Sequence, residues 1–302
     1  MTAWQRLRRD KVLLFVALPG ILSLLVFHYL PLLGNVIAFK EYVPFIGILD
    51  SPWVGMANFM VIVNGDPVFV NALTNTLVIT ALQVLIVFPA PIGLALLLNS
   101  LMSERIKRIV QSVLYLPHFL SWVIVVAIFQ KMLGDAGLVN HFLRDLNLGT
   151  VNIVSNPDAF KALVTGQVLW KDAGWATILF LAALARIDQT LYEASAVDGA
   201  GRWRQLWHVT LPGLRSLIIL LLILRLGDSL STGFEQIFLQ QGAVGKTASE
   251  VLDTYVYNHG ILDGDWGPSA AVGMVKGVVG LLLVVGANTL AHRFGERGIY
   301  QR

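Results

Sequence analysis

The chain has 302 residues, 56% of them hydrophobic and 14% charged, with a formal net charge of +3 and no cysteine. A soluble domain carries about 25% charged residues, so a mean hydropathy of +0.68 points to lipid as the main solvent. The small net charge argues against a nucleic-acid binder, and the missing cysteines exclude disulfides and thiolate metal sites. The six histidines show no ligand-like spacing.

The first element is a short basic stretch, Met1 to Lys11, followed by an apolar run over roughly 12–33. That run is longer than the apolar core of a signal peptide and contains Pro19, Gly20 and Pro31. It reads as a retained membrane helix, with a cleaved leader as the alternative. A bilayer core needs about 20 mostly apolar residues per helix. Five further stretches meet that length, over roughly 70–98, 110–133, 161–185, 209–232 and 270–292. The expected architecture is therefore all-α, a single membrane domain over 1–302 with six spans.

Basic residues set the expected direction. With the N-terminus inside, the inside segments hold Arg6, Arg8, Arg9, Lys11, Arg105, Lys107, Arg108, Arg186, Arg202, Arg204, Arg293, Arg297 and Arg302. The outside segments hold only Lys40, Lys131, Arg144, Lys161 and Lys246. Basic residues are retained in the cytoplasm, so both termini are expected there. The outside segments, 34–69, 134–160 and 233–267, carry Tyr42, Phe45, Trp53, Tyr255, Tyr257 and Trp266. An interfacial aromatic belt and a docking surface for an external protein both fit them.

The inside segment 186–212 is the most informative. It reads Glu193-Ala194-Ser195-Ala196-Val197-Asp198-Gly199, then nine residues, then Val209-Thr210-Leu211-Pro212. Leu191, Ala194, Ser195 and Asp198 share one face of a short helix. Glu193 sits near its positive end, and Gly199 is placed to end it in a left-handed conformation. Pro212 is tolerated early in the next span. Chemistry alone leaves two readings open, a helix lying on the membrane and a helix docked on a soluble partner.

The spacing resembles the EAA motif of the permease subunits of ABC importers, with Ser195 for the second alanine and Val209 for isoleucine. The segments SPWVGMANF, NALTNTLVI, LYLPHFLSWVIV and SEVLDTYVYNHG extend the resemblance over nearly the whole chain, toward importers of oligosaccharides cut from complex polysaccharides. The resemblance implies the type I importer permease fold, N-in and C-in, in the bacterial cell membrane. It also implies a second homologous permease, two ATP-binding subunits docked on the EAA loops, and an extracellular or periplasmic solute-binding protein. ATP and magnesium would then belong to the partner subunits, with no cofactor in this chain. Coupling falls to Glu193, Ala194, Ser195, Asp198, Gly199, Leu211 and Pro212.

Polar residues inside spans form two further clusters, since each costs several kcal/mol in lipid. One is Trp170, Lys171, Asp172 and Trp175; the other is Arg225, Asp228, Ser229, Ser231, Thr232, Phe234 and Glu235. Helix-to-helix pairing and a sugar path both fit them. In related maltose importers the sugar contacts the stretch beyond the EAA loop, and Lys171 with Arg225 would suit an acidic sugar. Gly245-Lys246-Thr247 mimics a phosphate loop, but that pattern needs a glycine where Gln240 stands. No nucleophile constellation, metal cluster or paired carboxylates suggest an enzyme. An ion-coupled carrier has no use for the EAA loop, and a disaccharide or glycerol phosphate stands as the alternative solute.

Overall fold

The computed structural model describes residues 11–101, 103–293, 295 and 298. The expected inside residues Arg6, Arg8, Arg9, Arg297 and Arg302 lie outside these. Among the described residues no strand forms, and one isolated bridge joins Lys40 to Trp53. Five helical stretches are long and apolar enough to cross a membrane: Phe15–Phe39, Pro67–Asn99, Trp122–Asp145, Arg202–Gly227 and Trp266–Arg293. A sixth candidate is Pro157–Leu184 with Gln189–Val197, bent by 70° between them. Backbone groups in lipid must bond within the chain, so helices are the expected solution.

The chain parts into two compact units. The first takes the residues up to Asn64 and Val256–Val275. Its leading helix, α1 (Lys11–Leu24), runs on to Phe39, and no part of the apolar window is buried. Ala38, Phe59 and Ala271 form its small core. The outside segment folds tightly back: Asn58 donates from its amide to the carbonyls of Ala38 (3.0 Å) and Lys40 (2.9 Å). Trp53 stacks on Phe39 at 5.6 Å.

The second unit takes Gly65–Tyr255 and the chain from Lys276 on. Its helices are α2 (Pro67–Leu82), α3 (Ala90–Asn99), α4 (Glu104–Tyr115), α5 (Trp122–Leu133), α6 (Leu138–Asp145) and α7 (Pro157–Leu184). After these come α8 (Gln189–Val197), α9 (Arg202–Gln205), α10 (Leu211–Gly227), α11 (Phe234–Val244) and most of α12 (Trp266–Arg293). The axis is α7. Its outer end packs Phe160 and Val164 with Ile79, Ile237, Val244 and Val251. Its inner end packs Phe180 and Leu184 with Ala95 and Leu214. Near its middle a Cβ on Gly174 would run into the Leu114 carbonyl, so α4 crosses α7 only because that residue lacks one.

Two expected spans differ from the observed ones. The stretch 110–133 is not one helix: α4 ends at Tyr115, Leu116–Phe119 forms a 3₁₀ turn around buried Pro117, and α5 begins at Trp122. The run 209–232 stops at Gly227, leaving 228–233 non-helical before α11. Three other prolines do not end their helices. Before each, the preceding N–H bonds five residues back: Leu30 to Leu25, Phe88 to Gln83, and Leu211 to Leu206. A proline ring presses on the carbonyl four residues back and brings no N–H. Widening the turn into a π segment moves that carbonyl aside and lets the helix continue.

Because the chain has no cysteine, single cysteines report sidedness cleanly. Arg105→Cys and Trp203→Cys should resist membrane-impermeant maleimide in intact cells, whereas Asn64→Cys, Ser155→Cys and Asp263→Cys should react. Labelling of Trp203→Cys from outside would reverse the direction inferred from the basic residues.

Candidate functional site

The 186–212 segment opens with α8 and returns through α9 and a π segment to α10. The Asp188 side chain caps α8, accepting from Thr190 N–H at 2.9 Å. That bond, with the Thr190 hydroxyl, holds the Asp188 carboxyl below its ordinary range. At the other end Gly199 takes φ +75°. Its N–H donates to Ala196 O at 3.0 Å, and Ala200 N–H donates to Ser195 O at 2.9 Å. This pair of bonds is a Schellman motif, which needs a left-handed residue at that position.

No residue of α8 is buried. Leu191 is 53% exposed and Val197 88% exposed, with Glu193, Ala194 and Asp198 on the open surface beside them. Ser195, read from sequence as part of the small open face, turns inward instead. Its hydroxyl donates to Tyr192 O at 2.8 Å and accepts from the Gln205 side-chain amide at 3.1 Å. The same amide reaches Tyr192 O at 3.3 Å, and the Tyr192 hydroxyl lies 3.0 Å from the Thr210 hydroxyl. Leu211 and Pro212 sit in the first turn of α10, directly after the π segment Leu206–Thr210. Sequence spacing did not show the Tyr192, Gln205 and Thr210 contacts, because they join residues 10 to 18 apart whose facing depends on that π segment.

The two intramembrane clusters part company. Lys171 is 8% exposed, and its ammonium donates to the carbonyls of His118 (2.6 Å) and Leu120 (2.7 Å). It also lies 5.5 Å from the Trp122 ring centroid. It thus caps the broken α4–α5 junction and does not join Arg225. Trp175 stacks on His118 at 4.6 Å, and Trp170 meets Phe129 edge-on at 5.7 Å. His118, which sequence left unassigned, places Nδ1 3.0 Å from an Asp172 carboxylate oxygen.

Arg225 donates to the Gln83 side-chain oxygen and feels the charges of Asp228 and Asp172. Asp172, Arg225 and Asp228 line one cavity of about 250 Å³ whose other walls, including Val87, Phe88 and Phe180, are mainly apolar. Beyond it Ser231 is exposed, while Thr232 is buried with no bond to its hydroxyl. Glu235 is exposed in the first turn of α11, and Phe234 stacks on Phe238 at 5.4 Å.

The buried face of α11 carries a seam that sequence reading missed. Gln236 donates to Gln167 at 2.7 Å and to Val164 O at 2.9 Å, and Gln240 donates to Gln167 at 3.0 Å. The available signal was the i, i+4 pair Gln236 and Gln240 within an apolar stretch. Lys276, whose partner sequence could not name, pairs with Asp253.

Residues 87–296 match the family described as "Binding-protein-dependent transport system inner membrane component". The polygalacturonan/rhamnogalacturonan transport system permease protein YteP of Bacillus subtilis is 47% identical over 296 residues, 98% of this chain and 92% of that one. A chain of a bacterial ABC transporter involved in the import of the acidic polysaccharide alginate superposes with a TM-score of 0.88 at 35% identity, over 96% of this chain and 98% of that one. A bacterial alginate ABC transporter in complex with an alginate pentasaccharide-bound periplasmic protein gives 0.88 at 34% identity, over 98% and 99% of the two chains.

Lys171→Met should leave the part-buried His118 and Leu120 carbonyls without this donor, at a cost of about 1 kcal/mol or more. The expected result is a lower thermal midpoint of the purified protein in detergent. An unchanged midpoint would contradict the capping role.

Proposed function

The chain belongs to the family of binding-protein-dependent transport inner membrane components, and from that premise we propose how it works as a permease subunit of an ABC importer for oligosaccharides. It forms half of a translocation pathway, and a second homologous permease forms the other half. Two separate ATP-binding subunits hydrolyse ATP with magnesium, and a solute-binding protein outside the membrane delivers the sugar. The observation that carries this is α8. It is a capped helix with no buried residue, and it offers Leu191 and Val197 to a partner beside Glu193, Ala194 and Asp198. Such a helix fits a cleft on a soluble subunit. Gly199 fixes the angle at which the chain leaves it, and Leu211 and Pro212 return it to the fifth span.

The solute is proposed to be a fragment of a complex polysaccharide, as the names of YteP and the alginate importer suggest for those proteins. On this chain the path runs from the cavity of Asp172, Arg225 and Asp228 past Ser231 and Thr232 to Phe234 and Glu235. Carboxylates and a guanidinium together supply acceptors and donors for sugar hydroxyls, and a stacked aromatic pair suits a pyranose face. Arg225 shares the cavity with the carboxylates of Asp172 and Asp228, so the cavity is not a bare cationic site. That disfavours glycerol phosphate, which needs net positive charge. Lys171 is engaged by the His118 and Leu120 carbonyls, Trp175 stacks on His118 and Trp170 packs on Phe129.

Two mutational tests separate coupling from passage. In Gly199→Asp the new Cβ meets nothing within 4 Å, so the cost is backbone strain of about 1–2 kcal/mol and a charge at the partner surface. Sugar-stimulated ATP hydrolysis in nanodiscs should fall sharply while membrane insertion persists. Wild-type hydrolysis and import would remove α8 from the coupling route. Asp228→Asn and Glu235→Gln should lower sugar uptake several-fold with the complex still assembled. Unchanged uptake in both would take this cluster off the path.

A further inference from the structure

Pro212 has a consequence for the loop that precedes it. In an α-helix two residues five apart lie about 140° round from one another. Gln205 and Thr210 are so spaced, yet both reach α8. The π segment Leu206–Thr210 explains this. It closes its turn five residues on, from Leu211 N–H to Leu206 O, and so brings the two residues round to one side. The segment ends two residues before Pro212, as Leu25–Tyr29 and Gln83–Val87 end two residues before Pro31 and Pro89. The result is a closed polar ring. Gln205 donates to Tyr192 O and the Ser195 hydroxyl, Ser195 donates to Tyr192 O, the Tyr192 hydroxyl meets that of Thr210, and Thr210 donates to Gln205 O at 3.4 Å.

We propose that Tyr192, Ser195, Gln205 and Thr210 are positioning residues. They brace α8 against the start of the fifth span, in a register set by the π segment that Pro212 imposes, so that α8 and α10 move as one body. This rests on the reading of α8 as the docking helix for an ATP-binding subunit. Without the brace, a push on α8 would be taken up by the Gly199–Gly201 connection, because none of its side chains is buried against the rest of the chain. With it, displacement of α8 reaches α10, which ends beside the cavity at Arg225 and Asp228.

The experiment measures sugar imported per ATP hydrolysed by the assembled importer in proteoliposomes. A merely structural role would change the amount of complex but not this ratio. Tyr192→Phe deletes one hydroxyl and should lower the ratio roughly two- to tenfold, the effect of losing one neutral hydrogen bond. Thr210→Val removes that bond and the Thr210 donation to Gln205 O, so it should lower the ratio at least as much, and the double variant should be no worse than Thr210→Val alone, since both changes remove the shared bond. Pro212→Ala lets a regular helix form and should lower the ratio at least as much. Gly199→Asp serves as the control on the docking reading. If Gly199→Asp disrupts hydrolysis while Tyr192→Phe and Pro212→Ala keep the wild-type ratio, the brace is wrong and the docking reading stands. If Gly199→Asp is silent as well, the docking reading itself fails. Reduced assembly with an unchanged ratio in the remaining complex assigns the ring to folding alone and overturns the proposal.

Discussion

A carbonyl or N–H inside a bilayer has no water to bond, and each one left alone costs several kcal/mol. The breaks in these helices follow from that constraint. Before Pro31, Pro89 and Pro212, each of which lacks a donor, the chain widens into a π turn and keeps its other backbone bonds. Where α4 gives way to α5, the carbonyls of His118 and Leu120 are met by the ammonium of Lys171. A lysine deep in a span costs about 2.5–3.5 kcal/mol by insertion scales. Two charge-assisted bonds of about 1.5–3 kcal/mol each offset it. Lys171 is therefore explained by the backbone it serves.

The same constraint organises the helix around which the second unit packs. α7 packs apolar clusters near both ends and polar contacts along its middle, where Gln167 meets Gln236 and Gln240 and Asp172 meets His118. Interhelical hydrogen bonds in membranes are worth on the order of 0.6 kcal/mol each. The seam's weight is thus small in net stability and large in register. A slip of α11 by one residue would take Gln236 and Gln240 away from Gln167 and leave its buried amide without them. The non-helical run 228–233 is tolerated for a related reason, since irregular backbone at membrane depth occurs only where protein or a cavity surrounds it.

On the cytoplasmic side the chain meets the opposite condition. α8 is short, capped at both ends by local residues, and has no buried residue, with only Tyr192 and Ser195 half-buried. A nine-residue helix of this kind is marginal by itself. Its caps and the ring of Tyr192, Ser195, Gln205 and Thr210 hold it in place. Its apolar exposure at Leu191 and Val197 is then available for a partner instead of being spent on its own folding.

The sequence by itself determined the all-α membrane class, because apolar run length is set by bilayer thickness, but it ran one expected span across the break between α4 and α5. It also determined the α8 motif and its left-handed stop at Gly199, because caps and turns are local. It placed charged residues in the spans without saying what each was for. Tertiary structure decided that Lys171 serves a backbone break while Arg225 and Asp228 line a cavity. It likewise decided that Ser195 faces inward, that Gln167 finds Gln236, and that Lys276 finds Asp253. Those outcomes depend on which helices cross and in what register. A polar side chain in lipid must find a partner, but only the three-dimensional packing of distant segments fixes which one is within reach.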